Sequence, residues 1–255
     1  MNEIDFYDKV GKVNGWNFSE LKCESEGVKW NFYEEVQARC NHSDILLDIG
    51  TGGGESALKI ASSLCLLIGI DLSRGMVETA KSNLNHSGLS NVRFLQMSSE
   101  NLQFPAEFFD LVSNQHAPFN PKEVAKVLKK GGTFLTQQVS EGDKLNVKKA
   151  FGRGQSFAEK DGTLKERYIQ ELKDAGFSDI QVHDYDAIEY YQRPEDLIFL
   201  LQHTPIIPDF GQERSDLHIL NNFIETNQTE KGICTNAKRF MIAAHLSFLL
   251  MCVSV

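Results

Sequence analysis

The segment LLDIGTGGGES, residues 46–56, constrains the fold more than any other part of the chain. An apolar run ends at Asp48, glycines follow at positions 50, 52 and 54, and a helical pattern begins at once. Glycine suits places where the backbone turns sharply or where a ligand approaches it closely. A helix N-terminus behind such a turn presents unpaired N–H groups. The segment therefore predicts a strand, a tight turn and a helix that together bind a nucleotide-like cofactor.

Strand-like and helix-like segments alternate on both sides of this turn. Short apolar runs are typical of strands that helices cover on both faces, and their alternation with helical segments indicates βαβ units and a parallel sheet. Strands are predicted near 45–49, 66–70, 92–96, 109–113, 132–138, 178–191 and 232–244, and helices near 28–40, 55–64, 74–86, 121–129, 163–177 and 213–226.

Charge at the glycine turn separates two kinds of ligand. A dinucleotide fingerprint fits Gly52, Gly54 and Ala57, with an acid, Asp71, at the end of the next strand to hold a ribose. The spacing suits other nucleosides equally. A carboxylate at the mouth of the turn, Asp48, repels a pyrophosphate but attracts a cation in a partly desolvated site. A cationic nucleoside without phosphate, such as S-adenosylmethionine, fits this pattern better.

The D-x-G-x-G-x-G form of the turn resembles the first motif of the class I S-adenosylmethionine-dependent methyltransferases. Four later segments resemble the following elements of that family in the same order, so the resemblance covers roughly residues 44–190 and looks closest to the methyltransferase-11 type. These segments are LLIGIDLS (66–73), NVRFLQMSSENLQF (91–104), FFDLVSNQH (108–116) and EVAKVLKKGGTFLTQQV (123–139).

The resemblance implies a fold and a set of cofactor contacts. The fold is a doubly wound, mostly parallel, seven-stranded α/β sheet of the Rossmann-like type, with its seventh strand antiparallel between the fifth and sixth. Asp71 would bind both ribose hydroxyls, and Ser98 stands where family members often have aspartate near the adenine. The implied cofactor-binding residues are Asp48, Gly50, Thr51, Gly52, Gly54, Asp71, Leu72, Met76, Ser98, Ser99, Glu100, Asn114 and Gln115.

His116 is the candidate catalytic residue. It follows the fourth predicted strand, where the resemblance places residues that face the transferable methyl group. Histidine has a pKa suited to proton abstraction near neutrality, so one interpretation is a general base. The other interpretation is a loop histidine that forms local hydrogen bonds.

The composition narrows the functional class. The chain has 255 residues and a net charge of −9, which disfavours a nucleic-acid binder. One basic cluster, Lys144, Lys148, Lys149 and Arg153, is interpreted as a solvated helix face. Five cysteines, at positions 23, 40, 65, 234 and 252, are scattered without the spacing of a metal site. They predict reduced thiols in a cytoplasmic protein, and the first residues lack the apolar stretch of a signal peptide.

The predicted organisation adds smaller units to the core. An N-terminal helical segment, 1–43, is interpreted as a probable lid and includes two tryptophans, Trp16 and Trp30. The cofactor-binding core spans 44–190, a helical cap over the substrate spans 191–231, and the last core strand spans 232–246. The apolar tail, 247–255, belongs to an uncharged stretch from Phe240 that is shorter than the ~20 residues of a membrane helix, so no membrane contact is expected.

The sequence thus favours a methyltransferase that uses S-adenosylmethionine, holds no metal and acts on a small molecule. Three alternatives stay open at this point. They are a methyltransferase acting on rRNA or tRNA bases, a nicotinamide-dependent oxidoreductase, and a non-catalytic cofactor-binding module.

Overall fold

The computed structural model describes residues 21–247, and the following account concerns that part of the chain. Its strands are β1 (Cys23–Glu26), β2 (Ile45–Ile49), β3 (Leu66–Asp71), β4 (Val92–Gln96), β5 (Phe109–Gln115), β6 (Leu128–Val139), β7 (Phe177–Tyr191), β8 (Gln228–Thr229) and β9 (Gly232–Leu246). Its helices are α1 (Phe32–Gln37), α2 (Glu55–Ile60), α3 (Arg74–Ser87), α4 (Pro121–Val127), α5 (Leu145–Phe151), α6 (Thr163–Asp174), α7 (Pro194–His203) and α8 (Asp216–Asn227).

The strands form one mixed sheet in the order β1-β7-β9-β6-β5-β2-β3-β4, with β8 paired to β9. The pairs among β6, β5, β2, β3 and β4 are parallel, whereas β9 is antiparallel to both β6 and β7. This confirms the predicted doubly wound α/β fold, with the last long strand inserted between its two predecessors. It also places the point where the strand order reverses between β2 and β5.

Helices cover both faces of the sheet. Neighbouring residues of β2 point to opposite faces, as the alternation of a strand requires. Leu47 joins an apolar cluster that includes Phe134 and Leu172, while Leu46 joins another that includes Phe94 and Val36. Burial on both faces explains why the strands read as continuous apolar runs.

The segment 191–231, predicted as a cap, forms α7 and α8, and its apolar side chains make a third cluster with α5. Leu197, Leu201 and Phe223 are buried there against Val147 and Phe151. The cap is therefore packed against the polypeptide that follows β6. Its role over a substrate stays a prediction.

Two features near the ends of the described region differ from the sequence interpretation. The predicted helix 28–40 is shorter, at Phe32–Gln37, and is preceded by β1, which pairs antiparallel with β7. A four-residue strand with the sequence CESE has little apolar character, so its pairing depends on the free edge of β7. Trp16 and the tail beyond residue 247 lie outside the described residues. Within residues 21–247, none of the helices has the length and apolar character needed to cross a bilayer.

The basic cluster is not the solvated face that we expected. Lys144 and Lys148 are only 2% and 3% exposed. The Lys144 ammonium contacts the Glu189 carboxylate at 2.7 Å, and Lys148 donates to the backbone carbonyl of Glu141 at 2.7 Å. The Arg153 guanidinium contacts Asp216 at 2.7 Å. The sequence interpretation was wrong for Lys144 and Arg153, because the acids that neutralise them are distant in the chain, and for Lys148, which is buried. Lys149 is exposed, as expected.

Candidate active site

A cleft of about 200 Å³ lies at the carboxyl ends of β2, β3 and β5. Open α/β sheets bind ligands at this edge, where the strand order reverses. Its lining residues are Tyr33, Ile49, Gly50, Thr51, Gly52, Glu55, Ser56, Ile70, Asp71, Leu72, Ser73, Met76, Met97, Ser99, Gln115, His116, Ala117 and Pro118. The cleft therefore contains many of the residues predicted to hold a cofactor, together with the candidate catalytic residue, His116.

The glycine turn closes on itself through backbone hydrogen bonds. The N–H groups of Gly50 and Thr51 both donate to the carbonyl of Ile70, at 2.9 and 3.0 Å, and that of Gly54 donates to Thr51 at 3.0 Å. The Gly52 N–H donates to the Asp71 carboxylate at 3.0 Å. The turn does not present these four amides as free donors, because neighbouring groups of β3 and the turn itself satisfy them.

Two of the glycines are required for different steric reasons. Gly50 has φ +72°, and a Cβ atom there would lie 2.3 Å from the Cβ of Ala117. Gly54 has φ +75°, and a Cβ atom there would lie 2.6 Å from the ring of Phe94. Gly50 lines the cleft. Gly54 does not, so the predicted cofactor contact of Gly54 is replaced by a packing role against β4.

Asp71 is fixed in place by two backbone donors. One carboxylate oxygen accepts from the Gly52 N–H and the other accepts from the Ser73 N–H at 2.8 Å. Ser73 is in turn the N-cap of α3, since its hydroxyl accepts from the Met76 N–H at 3.1 Å. The carboxylate thus lines the cleft in a fixed orientation.

Asp48 lies beneath the cleft rather than at its mouth. Its carboxylate is fully buried and accepts from the Ser113 hydroxyl at 2.6 Å and from the Tyr33 hydroxyl at 3.0 Å. Burial raises the pKa of Asp48 to about 6, although these donors favour the charged form. Its predicted contact with a ligand is therefore replaced by a hold on Tyr33, which itself lines the cleft.

This buried carboxyl predicts a pH dependence of stability. Protonation is easier in the folded chain, so the contribution of Asp48 is complete below its ordinary pKa of 3.8 and is lost as the pH rises through about 6. Linkage converts this into about 1–1.5 kcal/mol of unfolding free energy lost between pH 5 and pH 7.5. Urea unfolding at the two pH values measures the loss. In Asp48→Asn, which cannot titrate, this part of the pH dependence is expected to disappear, and identical pH profiles for both proteins would contradict it.

The apolar end of the cleft is formed by Leu72, Met76 and Met97, with Ser99 beside them. Two other residues predicted for this end do not line it. The Ser98 hydroxyl accepts from the Glu100 N–H at 3.2 Å, and the Glu100 carboxylate accepts from the Asn120 amide at 3.2 Å. Both side chains stabilise the loop after β4 instead of facing the cleft.

Asn114 supports the cleft from below. It is fully buried and donates to the carbonyl of Ile49 at 3.2 Å. Its amide oxygen accepts from the Thr136 hydroxyl at 2.9 Å and from the Gln138 amide at 2.6 Å. These bonds join three neighbouring strands. Asn114 does not line the cleft, whereas the adjacent Gln115 does, and the cofactor contact of Asn114 stays a prediction.

His116 lines the opposite end of the cleft from the methionines, and its backbone has φ +56°. Its backbone N–H donates to the backbone carbonyl of Gln137 at 2.8 Å, and its ring Nε2 lies 2.9 Å from the side-chain amide nitrogen of Gln137. Burial, together with the positive charge of Arg239, lowers the pKa of His116 to about 3. The imidazole is neutral at physiological pH and is a weak proton acceptor.

The charged side chains that line the cleft are acidic. They are Glu55 and Asp71, and among residues 21–247 the lining includes neither lysine nor arginine. A pyrophosphate would find no cation to neutralise it. A ligand that carries positive charge is favoured by the same field.

Several lining residues were missed by the sequence interpretation. Most of them adjoin a predicted residue in the chain, as Ser73 adjoins Leu72 and Ala117 adjoins His116, so a wider window around each motif would have included them. Tyr33 lacks such a signal. It reaches the cleft only through the packing of α1 and its bond to Asp48.

A family profile described as "Methyltransferase domain" matches residues 46–134. The "Uncharacterized methyltransferase YcgJ" of Bacillus subtilis is 38% identical over 105 residues, which are 38% of this chain and 42% of that protein. The "Demethylmenaquinone methyltransferase" of Symbiobacterium thermophilum is 26% identical over 148 residues, 54% of this chain and 59% of that protein. The chain thus spans about half the length of these curated relatives.

Solved structures share the fold. The crystal structure of the YcgJ protein from Bacillus subtilis matches with a TM-score of 0.60 at 23% identity, over 85% of this chain and 98% of that one. Phosphoethanolamine N-methyltransferase 2 from Haemonchus contortus, in complex with S-adenosyl-L-methionine, matches with a TM-score of 0.54 at 19% identity, over 96% of this chain and 57% of that one. At these identities the likeness extends to the architecture alone.

Proposed function

Since the chain belongs to the class I S-adenosylmethionine-dependent methyltransferase family, we propose that it transfers a methyl group from S-adenosylmethionine to a small-molecule acceptor. The observation that carries this proposal is the charge of the cleft. Its charged lining residues, Glu55 and Asp71, are both acids. This suits a cofactor with a sulfonium and an ammonium and disfavours a dinucleotide.

The lining residues fit the parts of this cofactor. The Asp71 carboxylate, held by two backbone donors, lines the cleft and is the kind of acceptor that suits vicinal ribose hydroxyls. Leu72, Met76 and Met97 offer an apolar slot for an adenine ring. Glu55 and the polar groups near Gln115 suit the charged amino-acid end. When bound, the cofactor supplies an electrophilic methyl group.

The protein's own contribution is positioning and electrostatics. The rigid turn at Gly50 and Gly52 and the fixed Asp71 orient one reactant, and Tyr33 and His116 border the space left for the other. Restricting both reactants lowers the entropic barrier of a bimolecular displacement. Burial of Asp48 beneath this region places negative charge where a cation is held.

A small-molecule acceptor is favoured over RNA. The alternative of an rRNA or tRNA base methyltransferase depended on a basic groove near Lys144–Arg153, and three of the four cations there, Lys144, Lys148 and Arg153, are buried or paired. Two relatives carry names that specify small molecules, demethylmenaquinone and aklanonic acid. A small aromatic or enolic acceptor is therefore the class that we propose to test first.

We also propose that the protein works in the cytoplasm. Cys23, Cys40, Cys65 and Cys234 are free thiols in the described part of the chain. Free, dispersed cysteines suit a reducing compartment.

A thermal-shift comparison tests the cofactor. S-adenosylhomocysteine at about 100 times its dissociation constant is expected to stabilise the protein by roughly 2.7 kcal/mol, which raises the melting temperature by several degrees. NADH and NADPH at equal concentration are expected to leave it unchanged. Stabilisation by a nicotinamide alone would replace the proposal with an oxidoreductase. Cofactor binding without turnover of any acceptor would favour the non-catalytic module instead.

A further inference from the structure

The Gln137 side chain bridges two aromatic rings beside the cleft. Its amide oxygen accepts from the indole N–H of Trp30 at 2.7 Å, and its amide nitrogen lies 2.9 Å from Nε2 of His116. Trp30 precedes α1, Gln137 lies on β6 and His116 follows β5. Three side chains from separate parts of the polypeptide therefore form one hydrogen-bond network.

The chemistry of these groups fixes the direction of each bond. An indole nitrogen can only donate, so the amide oxygen of Gln137 must face Trp30 and its NH₂ group must face His116. An NH₂ group can only donate as well. Nε2 of His116 is consequently the unprotonated acceptor, and the proton of the neutral imidazole resides on Nδ1.

The indole that sets this direction is itself held in place. Its ring centroid is 4.6 Å from that of Tyr185, on β7, and 6.4 Å from that of His183. The backbone N–H of His116 is bonded to the carbonyl of Gln137, so this residue is attached to β6 through both its backbone and its ring. A reversed amide would place two donors together at the Trp30 end.

Burial and surrounding charge both favour the neutral ring. Burial is the larger cause of the lowered pKa of His116, and the cation of Arg239 acts in the same direction. Asp143, which is ion-paired with Arg239, offsets only part of the effect of that cation. Proton uptake at Nε2 would also oppose the Gln137 donor.

Nδ1 is the atom of this ring that is left for a ligand. Among residues 21–247 it has no hydrogen-bond partner, although His116 is a partly exposed residue that lines the cleft. A ring N–H without a protein partner, on a residue that lines a cleft, is suited to bind an acceptor atom of the bound molecule.

We propose that His116 is a neutral Nδ1–H donor to an oxygen of the methyl acceptor, and that Gln137 and Trp30 are positioning residues that set its tautomer. This inference rests on the proposed function. It assigns the acceptor to molecules that present an oxygen here, such as phenols and enols, rather than amines. The acceptor would supply the electron pair of the new bond to the methyl carbon, and the electron pair of the broken carbon–sulfur bond would stay on the sulfur of the leaving S-adenosylhomocysteine. Any proton that the acceptor releases would pass to water instead of His116.

Nitrogen NMR of the protein labelled with ¹⁵N-histidine tests the tautomer directly. His116→Asn identifies the resonances. At pH 7 the wild-type spectrum is expected to show Nδ1 protonated and Nε2 unprotonated, with no titration of this ring between pH 5 and pH 8. An Nε2–H tautomer, or a ring that titrates near its ordinary pKa of about 6.5, would overturn the inference.

Gln137→Glu provides the matched perturbation. A carboxylate accepts where the amide donated, so the variant is expected to move the proton to Nε2 and to raise the pKa of His116 by at least one unit. Gln181→Glu makes the same charge change at an exposed position of β7. This control is expected to alter neither the tautomer nor the pKa of His116. If Gln137→Glu left the His116 signals unchanged, Gln137 would not be a positioning residue.

Turnover separates this inference from the proposed function. With S-adenosylmethionine, phenolic and enolic test acceptors are expected to be methylated, and Gln137→Glu is expected to change the pH profile of kcat. Methylation of simple amines without methylation of phenols or enols would overturn the donor role. Failure to bind S-adenosylhomocysteine would instead overturn the proposed function, while the tautomer measured by NMR would stand.

Discussion

Asp71→Asn is expected to weaken S-adenosylhomocysteine binding by roughly a hundredfold. The wild-type carboxylate is held by the N–H groups of Gly52 and Ser73 and faces the cleft. Two charge-assisted hydrogen bonds to a ribose are worth about 1.5–3 kcal/mol each, and a loss of about 2.7 kcal/mol corresponds to that factor. The amide also turns one of its donors toward a backbone donor. Isothermal titration calorimetry measures the change.

Asp174→Asn is the matched control for this substitution. Asp174 is an exposed residue at the end of α6, where it accepts from Gln170 of the same helix. Its replacement is expected to change the affinity less than twofold. Equal affinities for wild type and Asp71→Asn would remove Asp71 from the proposed ribose site.

Gly50→Ala is expected to destabilise the fold by about 2–5 kcal/mol and to abolish cofactor binding. A left-handed backbone costs a non-glycine residue about 1–2 kcal/mol. The new methyl group would also lie 2.3 Å from the Cβ of Ala117, and overpacking of this kind costs about 1–3 kcal/mol. Urea unfolding measures the total, and calorimetry with S-adenosylhomocysteine measures the effect on the cleft.

The chain offers a control that separates strain from collision. Gly88 ends α3 with φ +71°, and a Cβ atom there would meet nothing within 4 Å. Gly88→Ala is therefore expected to cost only the strain, about 1–2 kcal/mol, and to leave binding intact. If the two variants lost the same stability, the close approach of Ala117 would not constrain the turn.

The fold was predicted from sequence because its signals are local. The apolar runs that became β2 and β4 match the predicted ranges, and the glycine turn is located between β2 and α2 as expected. Asp71 and His116 lie at strand ends, so their positions in the chain already brought them to one edge of the sheet. Residues adjacent to those motifs complete most of the cleft.

The remaining features depend on contacts between distant parts of the chain. Asp48 is a motif residue, but its burial under Tyr33 follows from the packing of α1, which a local pattern does not encode. Lys144 is a charged residue in a polar stretch, and its partner Glu189 is 45 residues away. The tautomer that we propose for His116 likewise depends on Trp30, which precedes β2 in the sequence, whereas His116 follows β5.

The most direct test of cofactor binding in this cleft is an NMR titration with S-adenosylmethionine carrying a ¹³C-labelled methyl group. The account predicts saturable one-to-one binding, with nuclear Overhauser contacts from the bound methyl group to the rings of Tyr33 and His116, and saturation at a roughly hundredfold higher ligand concentration in Asp71→Asn. A methyl resonance that the protein leaves unchanged, or binding that persists unaltered in Asp71→Asn, would contradict it.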